Sequence, residues 1–178
     1  MEESKEQRHG RRCDPIPGRC DDFPLHQSAR RGREAQAIDN DSDLRWKRDL
    51  LLSISGVGET LASVVLAELP GPDVLHSSAE AVAYTGLNPR RHRSGTSIDR
   101  QTRISKIGNA VLRAALYMPA MSAMRHNPAI VALVTRLKAR GRLNPKQIVV
   151  AAMRKLLVLC FGVLKTGKPF DPALAMGC

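Results

Sequence analysis

Acidic residues run out early in this chain: no Asp or Glu occurs between Asp99 and Asp171, while 14 Lys and Arg fall in the same stretch. A solvated helical surface mixes both signs to limit self-repulsion, so the imbalance points to a polyanionic partner, nucleic acid before any other. Aromatics are scarce at 3%, which leaves Leu, Val, Ala and Met to build the core and favours helices. No uninterrupted apolar run reaches the roughly 18 residues that a membrane span requires. Gln147 to Leu164 comes nearest and is broken by Arg154 and Lys155, so no membrane partner is expected. The N-terminus has no apolar core of a secretory signal, and a cytoplasmic location is expected. The four cysteines, Cys13, Cys20, Cys160 and Cys178, show neither metal-ligand nor redox spacing and read as bystander thiols.

What is present divides unevenly. The 178 residues suffice for one ordinary domain with a real core. Residues 1–50 hold 11 basic and 11 acidic residues; taken from totals of 28 and 17, this leaves 17 basic and 6 acidic residues in 51–178, which therefore carries the whole net charge of +11. Residues 1–37 contain three prolines, alternating charge blocks and no apolar period, and read as a disordered or degenerate segment. A folded domain is expected over 38–172, with 173–178 as a tail.

Within that domain the pattern is mostly α. Asp41 or Ser42 caps a helix that places Leu44, Trp46, Leu50, Leu51 and Ile54 on one apolar face. After "SGVG", "ETLASVVLAEL" turns Leu61, Val64, Val65 and Leu69 inward. Ser77 with Glu80 forms a capping box for a short helix ending at Gly86. "KIGNAVLRAALYMPAMSAMRH" is helical with a kink expected near Pro119. Two Asn-Pro starts follow, at Asn127-Pro128 and Asn144-Pro145, with stops at Gly141 and Gly167. The helix from Pro145 to about Lys165 is assigned to the core, with its Arg154–Lys155 edge towards solvent or nucleic acid; an interprotomer role is the alternative. The only β structure expected is a basic loop or short hairpin inside 88–104, and 168–178 is expected to be loop.

"LLSISGVGETLASVVLAEL", over about residues 50–69, has the form of a helix-hairpin-helix element. Gly56 and Gly58 permit positive φ and close approach, and Val57 can anchor between the helices. Amides around Gly58 at the start of the next helix suit a phosphate, held without reading sequence. A purely structural turn accounts for the same residues.

The stretch "LNPRRHRSGTSIDRQTRISKIG", residues 87–108, gathers Arg90, Arg91, Arg93, Arg103 and Lys106 around Ser94-Gly95. Guanidinium groups fork onto phosphate oxygens, and such a cluster would neutralise a phosphorane if Ser94 attacked a phosphodiester. Composition alone also allows an ordinary Ser-Gly turn that merely touches phosphates. No base is obvious; His92 stands two residues away.

The ordered blocks run from "SISGVGETLASVVLAEL" through "AVAYTGLNPRRHRSG" and "RISKIGNAVLRAALYMPA" to "KTGKPFDP". Together they resemble the C-terminal transposase domain of the bridge-RNA-guided serine transposases, the insertion sequences of the IS one-ten, one-sixteen and nine-oh-two group. The resemblance covers about residues 38–172. It implies that Ser94 is the nucleophile, linked to DNA as a phosphoserine until strand exchange. It also implies DNA and a structured guide RNA as partners, and a composite site shared between protomers of a homo-oligomer. Magnesium would be bound by four acidic residues of an N-terminal RNase-H-like domain, so no cofactor or metal ligand is expected within this chain.

Nothing in residues 1–37 reads as a strand bearing such acids, and only Ile38 to Leu50 resembles the end of the family's coiled coil. The expectation is therefore a truncated transposase with little strand cleavage by itself. Asp99 also departs from a loop that the family keeps basic or neutral. Two competing readings are a helix-hairpin-helix protein that holds DNA or RNA without chemistry, and a basic scaffold for structured RNA.

Overall fold

The computed structural model describes residues 38–90, 93–94, 98–99, 103–105 and 107–173. It is mostly helical. Helix α1 (Ser42–Leu52) starts at Asp41, whose carboxylate accepts from the Asp43 amide at 2.9 Å. Leu50, Leu51 and Ile54 enter the core as expected, but Trp46 stays half exposed. Its ring lies instead over Gly167, where an added Cβ would come within 3.1 Å of the indole. At 100° per residue Trp46 falls on the edge of the apolar face, and the flat ring shields the end of a neighbouring helix.

Helix α2 (Glu59–Glu68) buries Leu61, Ala62, Ser63, Val64 and Val65 in succession. A helix wrapped on so many sides has no solvent face there, and the Ser63 hydroxyl meets its requirement internally by donating to the Glu59 carbonyl at 2.9 Å. Helix α3 (Ser78–Tyr84) has Ser77 as its cap, accepting from the Glu80 amide. Glu80 reaches back to the His76 amide at 2.9 Å and to the Ser77 hydroxyl, and these bonds hold its carboxyl below the usual carboxylate range. The reciprocal backbone donor is thus one residue earlier than a capping box provides.

A nested antiparallel hairpin follows. Strand β1 (Pro89–Arg90) pairs with β4 (Arg103–Ile104), and β2 (Arg93–Ser94) pairs with β3 (Ile98–Asp99). Pro89 stands across from Ile104 and Arg90 from Arg103; further out, Arg93 faces Asp99 and Ser94 faces Ile98. The short hairpin allowed by the sequence is therefore formed.

The single kinked helix expected over 106–126 is two: α4 (Ala110–Ala115) and α5 (Tyr117–His126), separated at Leu116. Proline has no amide hydrogen and its ring collides with the carbonyl four residues back, which for Pro119 is that of Ala115. The break therefore precedes the proline. Helix α6 (Pro128–Ala139) is capped by Asn127, and α7 (Pro145–Thr166) carries a full capping box between Asn144 and Gln147. Gly141 and Gly167 end these two helices with φ of +64°.

At 22 residues α7 is long and apolar enough by composition to cross a membrane. Its Ile148, Ala152, Met153, Leu156, Leu157, Cys160, Phe161 and Val163 are buried in the core, and it packs against α1, α3, α5 and α6. That makes it the central helix of the bundle. The segment after it is irregular but tied down: the Phe170 amide donates to the Ser53 hydroxyl at 2.8 Å, and the Phe170 ring packs on the core.

Candidate nucleic-acid interface

The hairpin is rooted in the bundle by a set of tight backbone approaches. Gly86 (φ +68°) and Gly108 (φ +127°) lie against each other's segments: a Cβ on Gly86 would overlap the Ile107 carbonyl, and one on Gly108 the Tyr84 carbonyl. Only glycine combines these dihedrals with this proximity. Across the joint the Asn109 amide donates to the Tyr84 carbonyl at 2.8 Å, and the Ser105 amide to the Asn88 carbonyl at 2.8 Å. Arg113 sends its guanidinium Nη1 to the Thr85 carbonyl at 2.8 Å. The Asn109 side chain caps α4 by accepting from the Leu112 amide, and donates to Glu68 Oε2 at 2.7 Å.

Sequence reasoning assigned roles to the arginines and not to this root. The signal lay in the two glycines bracketing the basic stretch; the Glu68–Asn109 bond joins positions 41 apart and left no trace in local pattern.

Backbone register locates four of the expected site residues. Arg90 and Arg103 occupy directly opposed positions, as do Ser94 and Ile98. Asp99, the odd acid of this loop, is the cross-strand partner of Arg93. Opposite charges at opposed positions of an antiparallel pair are favourable and like charges are not, so the register is favourable for Arg93 with Asp99 and unfavourable for Arg90 with Arg103. Arg91 and Lys106, and the side chains of Arg90, Arg93, Ser94 and Arg103, lie outside the described residues.

The Gly-Val-Gly turn between α1 and α2 is used differently from what its symmetry suggests. Gly56 has φ of +101°, and a Cβ there would sit 2.6 Å from the Ala123 Cβ and 2.8 Å from its Cα. The Asn127 side-chain amide donates to the Ser55 carbonyl at 3.1 Å, fastening the turn to the junction of α5 and α6. Val57 is buried in the core. Gly58, which could take positive φ, has φ of −107° and ψ of 172°, and is the exposed N-cap of α2 with no side-chain cap bond. Nothing lies within 4 Å of where its Cβ would be. Gly56 and Val57 thus serve packing, and Gly58 alone presents open backbone at a helix start. Glu59, in the first turn of α2, places a carboxylate there that offsets part of the dipole's attraction for an anion.

These two regions stand at opposite ends of α2: Gly58 precedes its first residue and Glu68 is its last. At 1.5 Å per residue they are about 15 Å apart along the axis.

Comparison with known proteins supplies the deciding observation. Residues 48–135 match the family described as "Transposase IS116/IS110/IS902 family". These residues belong to that family. The matched region takes in α2, the Gly-Val-Gly turn, the basic hairpin with its whole root, and α5. The chain is 35% identical over 137 residues to the pilin gene-inverting proteins of Moraxella lacunata and Moraxella bovis, covering 76% of this chain and 42% of each of theirs. It is 27% identical over 162 residues to an IS110 insertion-element protein of 43.6 kDa from Streptomyces coelicolor, covering 91% of this chain and 39% of that one. The chain therefore spans less than half the length of these relatives.

Proposed function

We propose that this chain handles DNA as part of a transposase, with the 87–108 hairpin laid against a strand and Ser94 as the group that attacks it. The family match carries this reading, because it covers the hairpin, its root and the Gly-Val-Gly turn together. The name of the Moraxella relatives, which invert a pilin gene, fits an exchange of strands between two DNA sites.

In the proposed step the Ser94 hydroxyl oxygen bonds to phosphorus, and the bond from phosphorus to one sugar oxygen breaks. The serine proton passes to a base, and the departing sugar oxygen takes up a proton. The resulting phosphoserine ester preserves a reactive phosphodiester, which a hydroxyl on another strand attacks in reverse to free Ser94. Arg90, Arg91, Arg93, Arg103 and Lys106 neutralise the charge that gathers on the non-bridging oxygens. Gly58 offers its open helix start to a neighbouring phosphate or to guide RNA. The exposed Arg125, Arg136, Lys138, Arg140, Arg142 and Lys146 extend the basic surface.

Magnesium is implied by the resemblance, but among the described residues no group of three His, Cys, Asp or Glu sits together to hold a metal ion. Following the resemblance, the reading takes the acidic site from a full-length partner protomer.

The test mixes this chain with a full-length family transposase whose own serine is replaced by alanine, together with its RNA, magnesium and labelled DNA. A covalent adduct of this chain's mass, absent with Ser94→Ala, is expected. DNA binding without any adduct would leave a non-catalytic DNA- or RNA-binding module in its place.

A further inference from the structure

One residue at the exit of the basic hairpin ties three helices together. The Asn109 backbone amide bonds to the end of α3, its side-chain oxygen caps α4, and its side-chain nitrogen bonds to the last residue of α2. An aspartate would cap α4 equally well but has no hydrogen to give Glu68; the primary amide alone accepts and donates at once. Because α2 begins at the Gly-Val-Gly turn, the Glu68–Asn109 bond is where the orientation of that turn reaches the hairpin.

We propose that Glu68 and Asn109 form a positioning pair that fixes the Ser94 hairpin relative to α2. Its consequence for DNA rests on the proposed function; the placement of the hairpin does not. Arg113 on Thr85 and the Gly86–Gly108 approach hold the near side of the same joint, so removing the pair loosens the hairpin without unfolding the bundle.

The experiment inverts the bond. In Asn109→Asp the cap is kept, but two carboxylates face each other and repel. In Glu68→Gln the side-chain oxygen still accepts from Asn109. In the double variant the new amide at position 68 donates to the new carboxylate at position 109, restoring the bond with its direction reversed. Glu68→Ala serves as a second disrupting variant that leaves the cap untouched.

Trypsin cleaves at the arginines and lysine of 90–106, and its rate on the free chain reports how often the hairpin opens. Asn109→Asp and Glu68→Ala are expected to raise that rate roughly ten-fold or more, as loss of a charged hydrogen bond implies. Glu68→Gln, which keeps a neutral acceptor for Asn109, is expected to raise it less than Glu68→Ala, and the double variant falls below Asn109→Asp, towards the rate of Glu68→Gln. Failure of the double variant to recover, or indifference of the rate to Asn109→Asp, overturns the proposal. DNA gel shifts on the original chain and the same four variants separate the two ideas. Cleavage rates in the expected order, with no DNA bound by any of them, would refute the DNA reading and leave the positioning pair standing.

Discussion

Gly56→Ala and Gly58→Ala look alike in the sequence, and Gly56→Ala is expected to cost more stability, by up to about 4 kcal/mol. At Gly56 the backbone lies at φ +101°, where a residue with a Cβ is strained by about 1–2 kcal/mol. The new methyl would also meet Ala123 Cβ at 2.6 Å and Cα at 2.8 Å. Neither atom can swing aside, so α5 must move, at about 1–3 kcal/mol for overpacking. The reduced freedom of the unfolded chain returns about 0.5–1 kcal/mol. The net loss is about 1–4.5 kcal/mol, a sizeable part of ordinary domain stability. At about 2–4 °C per kcal/mol for a domain of this size, the melting point should fall by roughly 2–18 °C. Gly58→Ala has an ordinary backbone and open space, so it should cost under about 1 kcal/mol, while Gly58→Ser supplies the missing cap and should stabilise slightly. Thermal unfolding followed by circular dichroism measures all three. A Gly56→Ala protein that melts with the original, or a Gly58→Ala protein that melts far below it, would refute the packing assigned to this turn.

Three further outcomes follow from the same geometry. Asn127 is buried, caps α6 and donates to the Ser55 carbonyl; Asn127→Ala should cost about 2–4 kcal/mol by chemical denaturation, and Asn127→Asp, which keeps the cap, less. Cys160 is fully buried and its thiol is pushed up to about 12 by burial. In a chain with Ser at the other three cysteines it should resist alkylation near pH 8 until denaturant is added. Because the unfolded thiol ionises first, that group's contribution to stability should be intact below about pH 8.5 and decline by up to about 1.4 kcal/mol per pH unit above it, until the folded thiol also ionises. Finally, the five phosphate contacts proposed for Arg90, Arg91, Arg93, Arg103 and Lys106 predict a log–log salt slope of about −4 to −5 for duplex binding. Alanine at Arg90 and Arg103 together should make it shallower by about 2; binding indifferent to salt would exclude the arrangement.

Local rules made much of the fold legible. Asn127-Pro128 and Asn144-Pro145 start helices where they should because cap and proline act within one turn of chain. Leu61, Val64, Val65 and Leu69 are buried as their spacing requires. Misreadings came where a partner distant in sequence decides. Gly56 and Gly58 differ because Ala123 touches one of them, and Trp46 leaves the core face because Gly167 offers a surface to cover. The hairpin was half legible: the sequence left a basic loop and a short hairpin both open, and the pairing of Pro89–Arg90 with Arg103–Ile104 decides between them. Its root was not, because a glycine's purpose is set by the carbonyl opposite.

The charge pattern acquires a structural meaning from where the basic groups go. A stretch from 100 to 170 without a single acid has no carboxylate of its own to pair with. Two of its cations solve this by reaching earlier carbonyls: Arg113 takes that of Thr85, and Lys165 takes that of His76 at 2.7 Å. Glu68, which precedes the stretch, is engaged by the neutral amide of Asn109. The described bonds at the root of the hairpin run to backbone carbonyls and through the Asn109 amide, with the two glycines in close approach. Further out, Arg90 and Arg103 stand at opposed positions, where like charges are unfavourable. On the proposed function a phosphate would relieve that pairing, so the response to DNA would fall in the hairpin. For that reason salt and substitutions at 90 or 103 should alter binding while leaving the melting temperature almost unchanged.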